Sequence, residues 1–433
     1  MLARRLGLFD ATMLVMGGTI GGGIFVNSYV VAQHVHTPAL VLGAWLAGGV
    51  IALTGALIYA EIASRLPRVG GQYAYLRESY HPLVAFLYGW VLLLVIQTGG
   101  MAVVTSIFSR YLIELTHLPA PEWLVGIVTL SLLTIANCLG VKSGSNLQSA
   151  LMVTKIMAIA LLVFAGALLV RGPQLSFKPI TGQPISAGLL SSFGAAMVPV
   201  LFAYGGWQTA CFVAGEMKQP VRDLPRALLL GVVGVALLYT SVNLVYLLGL
   251  GVSGLAQTHT PASAVMRIAW GNRGAAIIAL GIAISTLGFL SQSVLTAPRV
   301  YFAMAGDGVF FRQLAWVHPR TQVPVIAIIV QSAWTVVILL SGRYEQILNY
   351  VTSMDWIFFG LSASCLFVLR HRDARGTQIR MPGHPVTTGL FCLACWCVAA
   401  NAIYSFPKDT LYGVTILIAG VPLYFIWKRF SRA

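Results

Sequence analysis

Residues 17–23 of the chain read GGTIGGG and residues 202–207 read FAYGGW, and these two segments decide the fold. Each lies inside a long apolar run, where a glycine weakens an α-helix by about 1 kcal/mol relative to alanine. Glycines that let two helices pack closely are usually spaced four residues apart, whereas these are consecutive or paired. We therefore predict that both helices are interrupted near the middle of their apolar runs.

The composition places these helices in a membrane. The chain has 433 residues, of which 58% are hydrophobic and 9% are charged, and its formal net charge is +15. Soluble domains carry about a quarter charged residues, so an ordinary soluble protein is excluded. The basic excess would indicate a nucleic-acid surface only if the charges were clustered on a soluble face, and they are not.

Signals for metal sites, disulfides and catalysis are absent from the sequence. All six cysteines fall within apolar runs, and the CxxC of Cys392 and Cys395 has no histidine nearby, which favours packing over metal or redox use. Residues 371–373 read HRD, but the other kinase motifs are missing. We predict no enzyme activity, no cofactor and no metal.

Twelve apolar runs are long enough to cross a bilayer, which takes roughly 20 residues. They leave no room for a soluble domain, and the first run lacks a signal-peptide cleavage site, so we interpret it as the first span. We predict one transmembrane domain over residues 1–433. The predicted spans lie near residues 8–33, 39–65, 81–110, 122–140, 143–171, 188–216, 225–252, 273–304, 323–341, 344–370, 384–405 and 408–428.

The basic residues predict the orientation. With the N-terminus inside the cell, most of the 27 Lys and Arg residues fall on the cytoplasmic side of the twelve spans. We therefore predict a multi-pass protein of the plasma (inner) membrane with both termini in the cytoplasm.

The two interrupted spans occupy matching positions in the chain. Gly22 and Gly205 mark their centres, and Ala39 and Pro225 start the spans that follow them. The number of residues between Gly22 and Gly205 is nearly the same as the number between Ala39 and Pro225. This predicts two repeats of five helices, about residues 8–171 and 188–370, followed by two extra helices at about 384–428. Interrupted helices at corresponding positions of two halves indicate the binding site of a transporter.

An interrupted helix predicts a polar ligand, because its unpaired backbone groups are tolerated in a membrane only beside a cavity. The amides at residues 21–24 begin a new half-helix and suit an anion such as a carboxylate. The carbonyls at Thr19 and at residues 202–203 end the preceding half-helices and suit a cation. A zwitterion with both groups on one carbon fits this pair of ends.

Two charged residues lie deep within predicted spans, where they are functional candidates. Lys155 is about 12 residues into the fifth span, so roughly 18 Å from its cytoplasmic end. Asp355 either carries a function or faces a wet vestibule at the polar start of the tenth span. Nearer the cytoplasmic ends, Asp10, Glu61 and Glu216 are expected to form salt bridges with Arg65, Arg68 or Arg222, which could also close a gate.

Three motifs in order resemble the amino acid–polyamine–organocation superfamily, and within it the bacterial relatives of the L-type amino acid transporters. Residues 17–25 resemble the family's GTIIGSGIF-type motif. Residues 59–62 followed by 67–73 resemble its loop after helix 2. Residues 202–207, then 216–220 and 224–225, resemble its helix 6 and the loop that follows. The resemblance covers nearly the whole chain.

The resemblance implies an all-α fold with a LeuT-like inverted repeat of five plus five helices, in which helices 1 and 6 are unwound. It implies that an α-amino acid binds between these two helices and is transported by alternating access. The amides of Gly21, Gly22 and Gly23 would bind the carboxylate. The substrate-binding residues are completed by the carbonyls of Thr19, Phe202, Ala203 and Gly205 for the ammonium, with Phe202 as the lid and Gln208 and Trp356 near the side-chain pocket.

Lys155 is similar to the helix 5 lysine of the family's sodium-independent members, whose amine takes the place of a sodium ion. Ser285 or Thr286 would be its partner on helix 8. Gly22 departs from the family pattern because it lacks the usual hydroxyl. The loop between helices 3 and 4 has no cysteine, so we expect no covalent glycoprotein partner.

The sequence thus predicts a sodium-independent amino acid transporter, most simply an exchanger of neutral L-amino acids. Two alternatives within transport stay open: a proton-coupled symporter, and a transporter of cationic amino acids or polyamines, which Asp355 would favour. A channel would need a continuous polar stripe or ring of charges, and a membrane enzyme would need a nucleophile or metal set; neither pattern is found.

Overall fold

A computed structural model describes residues 4–170, 176–181, 186–341, 344–372 and 379–430. Every long element in these ranges is a helix, and the one isolated β-bridge among them joins Leu6 to Met217. The last residue of the first predicted repeat, Arg171, lies outside the described residues. So do Arg343, Arg375 and Arg432, which entered the charge count.

Helices lie over all twelve predicted segments. In chain order they are α1 Leu8–Thr19, α2 Gly23–His34, α3 Pro38–Arg65, α4 Gln72–Ser79, α5 Pro82–Val91, α6 Gln97–Thr116, α7 Glu122–Cys138, α8 Val141–Leu169, α9 Ala187–Tyr204, α10 Pro220–Gln257, α11 Pro261–Thr296, α12 Pro298–Gly306, α13 Val325–Ser341, α14 Tyr344–Arg372, α15 Val386–Ser405 and α16 Pro407–Phe430. A π-helical turn, Leu92–Ile96, joins α5 to α6, and 3-10 helices cover Trp207–Glu216 and Arg312–Ala315.

The fold is that of a multi-pass helical membrane protein. Among the described residues, nine helical stretches are long and apolar enough to cross a bilayer, and α1 with α2 makes a tenth if the pair, bent by 41°, counts as one span. Helices α7 and α13 are apolar but have only 17 residues each.

The first interruption is shorter than predicted. Helix α1 continues through Gly17 and Gly18 to Thr19, and only residues 20–22 leave the helix. These two glycines are needed for close packing: a Cβ on Gly17 would overlap the Gln148 amide, and one on Gly18 would lie 2.5 Å from the Gly206 carbonyl oxygen. The consecutive glycines therefore serve both close packing and unwinding.

The second interruption has a sharper backbone change. Helix α9 ends at Tyr204, and Gly206 has a φ of 102°, a left-handed conformation that glycine adopts readily. The chain then continues as a 3-10 helix, Trp207–Glu216, rather than the α-helix that the sequence predicted.

Two other predicted boundaries are wrong. Helix α10 starts at Pro220, because proline is well tolerated in the first turn, and Pro225 lies inside the helix. Helix α11 starts at Pro261, twelve residues before the predicted start, and carries a break at Trp270 and Gly271. The sequence also missed the short helix α4, and the predicted span near 273–304 is divided between α11 and α12.

Candidate functional site

A cavity lies between the two interruptions, with α6, α11 and α14 completing its wall. It encloses about 820 Å³ of empty space, part of it open to solvent. All nine residues that the sequence predicted for substrate binding line this cavity: Thr19, Gly21, Gly22, Gly23, Phe202, Ala203, Gly205, Gln208 and Trp356. The structure brings them together; what they bind stays a prediction.

The start of α2 lies in the wall of the cavity. Gly22 is the N-cap residue and Gly23 the first helical residue, and the first amides of a helix have no partner within it. A Cβ on Gly22 would lie 2.8 Å from the Ile107 side chain, and one on Gly23 would lie 3.1 Å from the Ala203 Cβ.

Tyr239 joins the two interruptions and was missed from the sequence. Its buried hydroxyl lies 3.0 Å from the Thr19 carbonyl oxygen and 3.1 Å from that of Ala203, so that one proton is shared between two acceptors. The Phe202 carbonyl accepts from the Gly205 amide at 3.1 Å. The Phe202 and Ala203 carbonyls each keep a lone pair for a ligand, since an oxygen can accept two hydrogen bonds. The Thr19 carbonyl also accepts from the Gly21 amide at 2.9 Å, so it gains a free lone pair only when the Tyr239 proton turns to Ala203.

Lys155 lies behind the first interruption rather than in the cavity wall. Its side chain is fully buried, and its ammonium donates to the Ile20 carbonyl oxygen. A Cβ on Gly288 of α11 would be 3.6 Å from the Lys155 Nζ. The amine therefore connects α8 to the unwound segment and lies against α11.

The expected partners of Lys155 on α11 bond elsewhere. The Ser285 hydroxyl donates to the Gly21 carbonyl at 3.4 Å, so it serves the neighbouring peptide of the same interruption. The Thr286 hydroxyl donates within its own helix, to Ile282 and Ala283. Lys155 and Ser285 thus hold two successive carbonyls of the unwound segment from two different helices.

A chain of polar side chains fixes the second interruption. The Gln208 side-chain oxygen accepts from the Gly206 amide at 3.0 Å, and the Thr209 hydroxyl donates to the Gly206 carbonyl at 2.6 Å. Gln292 of α11 donates to the Thr209 hydroxyl at 2.6 Å. Sequence reasoning placed Gln208 near the side-chain pocket but did not find Thr209 and Gln292, because only the fold brings these residues together.

The π-helical turn Leu92–Ile96 shapes the opposite wall. Such turns insert one residue into a helix and are frequent at functional sites. Ile96, the last residue of the turn, lines the cavity together with Gln97 and Gly100 after it. Helix α14 adds Thr352, Asp355 and Trp356.

Comparison with known proteins identifies the family. The sequence profile of the amino acid permease family matches residues 6–424 of the chain. The chain belongs to the amino acid permease family. It is a relative of the L-type amino acid transporters within the amino acid–polyamine–organocation superfamily.

Curated relatives align with the permease along nearly its whole length. The serine/threonine exchanger of Bacillus subtilis is 31% identical over 99% of this chain and 98% of its own. The human cystine/glutamate transporter is 28% identical over 100% of this chain and 87% of its own. The human b(0,+)-type amino acid transporter 1 is 28% identical over 99% and 89%, respectively.

One end of the permease is closed by buried ion pairs. Arg299 of α12 donates to Glu216 at 2.6 Å, and the two side chains are 0% and 1% exposed. Glu61 accepts from Arg65 at 2.9 Å, from Arg370 at 2.6 Å and from the Met381 amide at 2.7 Å.

The predicted bridge of Glu61 to Arg65 is confirmed, but the predicted partners of Glu216 and Asp10 are wrong. Arg222 donates to Gln219, and Glu216 pairs with Arg299 instead, because the fold brings α12 next to Glu216. Asp10 accepts from the Gly7 amide at the start of α1. Arg68 pairs with Glu78.

Helix α4 covers the same end of the permease. The Gly70 amide, just before α4, donates to the Phe212 carbonyl at 3.2 Å. The Tyr73 hydroxyl donates to Asp307 at 2.9 Å, and Arg77 pairs with the same carboxylate. Burial and the Asp307 carboxylate raise the pKa of Tyr73, so its hydroxyl keeps the proton that it donates.

Proposed function

We propose that this permease is a sodium-independent exchanger of neutral L-amino acids that works by alternating access. The observation that supports it most is the arrangement around the cavity, where the amides that begin α2 lie beside the carbonyls that end α1 and α9. An α-amino acid carries an anion and a cation on one carbon, which matches these two kinds of backbone group. The Bacillus subtilis relative named as a serine/threonine exchanger supports the mode of transport.

In this proposal the substrate carboxylate binds the amides at Gly22 and Gly23, and that of Gly21 once it releases the Thr19 carbonyl, to which it donates at 2.9 Å in this structure. The substrate ammonium binds the carbonyls of Phe202, Ala203 and Gly205, and that of Thr19 when the Tyr239 hydroxyl donates to Ala203 instead. Phe202 covers the bound substrate, and Gln208 and Trp356 lie beside its side chain. All of these residues except Tyr239 line the cavity.

Sodium independence rests on Lys155. Unwound carbonyls inside a membrane need a cation or a donor, and the Lys155 ammonium donates to the Ile20 carbonyl. Together with Ser285 it fixes the unwound segment from outside the substrate cavity. We propose that this contact holds in one state of the transport cycle and loosens in the other.

The architecture that we propose has twelve spans in two inverted repeats of five, followed by α15 and α16. Helices at corresponding positions pack against one another: α1 with the 3-10 segment Trp207–Glu216, α2 with α9, α3 with α10, α6 with α11 and α7 with α13. Pairing of this kind is expected when two repeats are related by a two-fold axis. The charge bias supports cytoplasmic termini in the plasma membrane, and the Cys-free loop at residues 117–121 supports the absence of a covalent partner.

The experiment uses purified protein in sodium-free liposomes at fixed pH. Uptake of a labelled neutral amino acid is followed with and without unlabelled amino acids inside. Exchange predicts that uptake requires the internal load and does not change when sodium is added.

Proton-coupled symport is the second candidate, because the buried Lys155 amine could also carry a proton. Uptake into empty liposomes that follows an imposed proton gradient would replace the exchanger proposal with this one.

A further inference from the structure

Asp355 is a charged residue of the cavity wall for which the proposed function has no role. It lies on α14, within the apolar stretch Asn349–Arg372, and lines the same cavity as both interruptions. Its side chain is partly accessible, since the cavity opens onto it. Asp355 therefore borders the cavity.

Other acids of the permease have partners of their own. Glu61, Glu216 and Asp307 each pair with an arginine. Asp355 has neither an ion pair nor a hydrogen bond to any group within the described ranges of the chain.

The titratable groups beside Asp355 supply no cation. Its titratable neighbours are Tyr88 and Cys395, and neither carries a positive charge. The Tyr88 hydroxyl already donates to Gln72 at 2.8 Å. Lys155, the other charge deep in a span, donates to the Ile20 carbonyl. Because no described group forms an ion pair or hydrogen bond with the Asp355 carboxylate, a molecule bound in the cavity can supply its partner.

A carboxylate only accepts hydrogen bonds, and it is costly to leave unpaired inside a membrane. Water in the empty cavity can donate to it, but a bound substrate displaces that water. A side chain with an O–H or N–H group replaces the lost hydrogen bond, whereas an aliphatic side chain of the same shape does not.

We propose that Asp355 determines side-chain specificity by favouring amino acids whose side chain carries a hydroxyl or amine donor over aliphatic amino acids of equal shape. This inference rests on the proposed function, because that function anchors the α-carboxylate and ammonium at the helix interruptions. The carboxylate of Asp355 then lies in the part of the cavity left for the side chain.

Two isosteric pairs test the proposal. Threonine and valine differ by a hydroxyl for a methyl group, and 2,4-diaminobutyrate and norvaline differ by an ammonium for a methyl group. Binding of all four is measured by isothermal titration with the purified, full-length protein. We expect the donor member of at least one pair to bind at least about tenfold more tightly, as for a hydrogen bond to a charged group.

Variants at position 355 assign the preference to the carboxylate. In D355L, the preference for the donor member of a pair should fall to less than about threefold. Valine and norvaline should still bind, which shows that the variant is folded. D355N keeps an acceptor oxygen without the charge, so it should retain a threonine preference and lose a diaminobutyrate preference. If D355L does not bind valine, D355A provides the same comparison.

Equal binding within both pairs in the wild type, or a preference that survives in D355L, overturns the proposal. Exchange in liposomes is measured separately with the same preparations. If the protein discriminates within a pair but does not exchange, the proposed function is overturned and the role of Asp355 stands. If it exchanges but does not discriminate, the role of Asp355 is overturned and the proposed function stands.

Discussion

The Tyr239 hydroxyl has one proton to donate and two carbonyls within reach, those of Thr19 and Ala203. Whichever carbonyl lacks the proton has free lone pairs for a substrate ammonium. A change in the relative position of the two interrupted helices would redistribute this hydrogen bond. Tyr239 therefore couples the two halves of the cavity through a single atom.

Replacing Tyr239 with phenylalanine removes this hydroxyl and little else. A net hydrogen bond contributes about 0.5–1.5 kcal/mol, so we expect the maximal exchange rate of Y239F in liposomes to fall by roughly two- to tenfold. Y246F is the matched control, because the Tyr246 hydroxyl on the same helix is buried without a hydrogen-bond partner among the described residues. Equal rates for Y239F and the wild type would contradict the coupling.

Lys155 is predicted to act on the conformational step. Both K155A and the shape-matched K155M lose the hydrogen bond to Ile20, an interaction of a charged group that is worth about 1.5–3 kcal/mol. We expect exchange to fall at least about tenfold, while substrate binding by titration changes less than about threefold. Unchanged exchange, or an equal loss of binding, would show that the amine does not control this step.

Gly206 sets the geometry of the second interruption. A Cβ at this position would overlap the Gly18 carbonyl, and the φ of 102° adds backbone strain of about 1–3 kcal/mol. We expect G206A to lower the melting temperature and the yield of monodisperse protein in size-exclusion chromatography. G194A on α9 is the control, because nothing lies within 4 Å of the added methyl group. A G206A protein as stable as G194A would refute this account.

The sequence predicted the interruptions and the depth of Lys155 because both depend on local composition and on the rise of a helix. Their exact extent was not predictable, since whether Gly17 and Gly18 unwind depends on Gln148 and Gly206, which lie far away in sequence. Tyr239 and Arg299 were not predicted for the same reason. The sequence of a long helix does not show which distant residue a tyrosine or an arginine will contact. The roles of the cavity residues remain predictions.

Two buried ion pairs and a short backbone contact hold one end of the permease together. The Glu216 carbonyl accepts from the Arg5 and Leu6 amides, and the Lys218 amide donates to the Leu6 carbonyl. The beginning of α1 is thereby fixed to the end of the second interrupted helix. These two segments should move as one body, which the Glu216 side chain ties to Arg299.

Breaking the buried ion pair of Glu216 and Arg299 should lower the free energy of unfolding far more than breaking an exposed ion pair. R299M leaves a buried carboxylate without its partner, which costs about 3–5 kcal/mol, whereas R110M breaks the exposed pair with Glu122, worth about 0–1 kcal/mol. We expect a large loss of thermal stability for R299M alone and a partial recovery in the double variant E216Q/R299M. Losses that simply add in the double variant would show that the two side chains do not act as a pair.

The π-helical turn Leu92–Ile96 puts the two halves of its span out of phase. One inserted residue rotates everything after it by about 100° relative to a regular helix. Gln97 and Gly100 therefore line the cavity because the turn before them contains one additional residue. In a relative that lacks one residue of this turn, a different face of α6 would line the cavity although the sequence of α6 is unchanged. The lining of the cavity can therefore differ between relatives through a deletion, without any substitution in the wall.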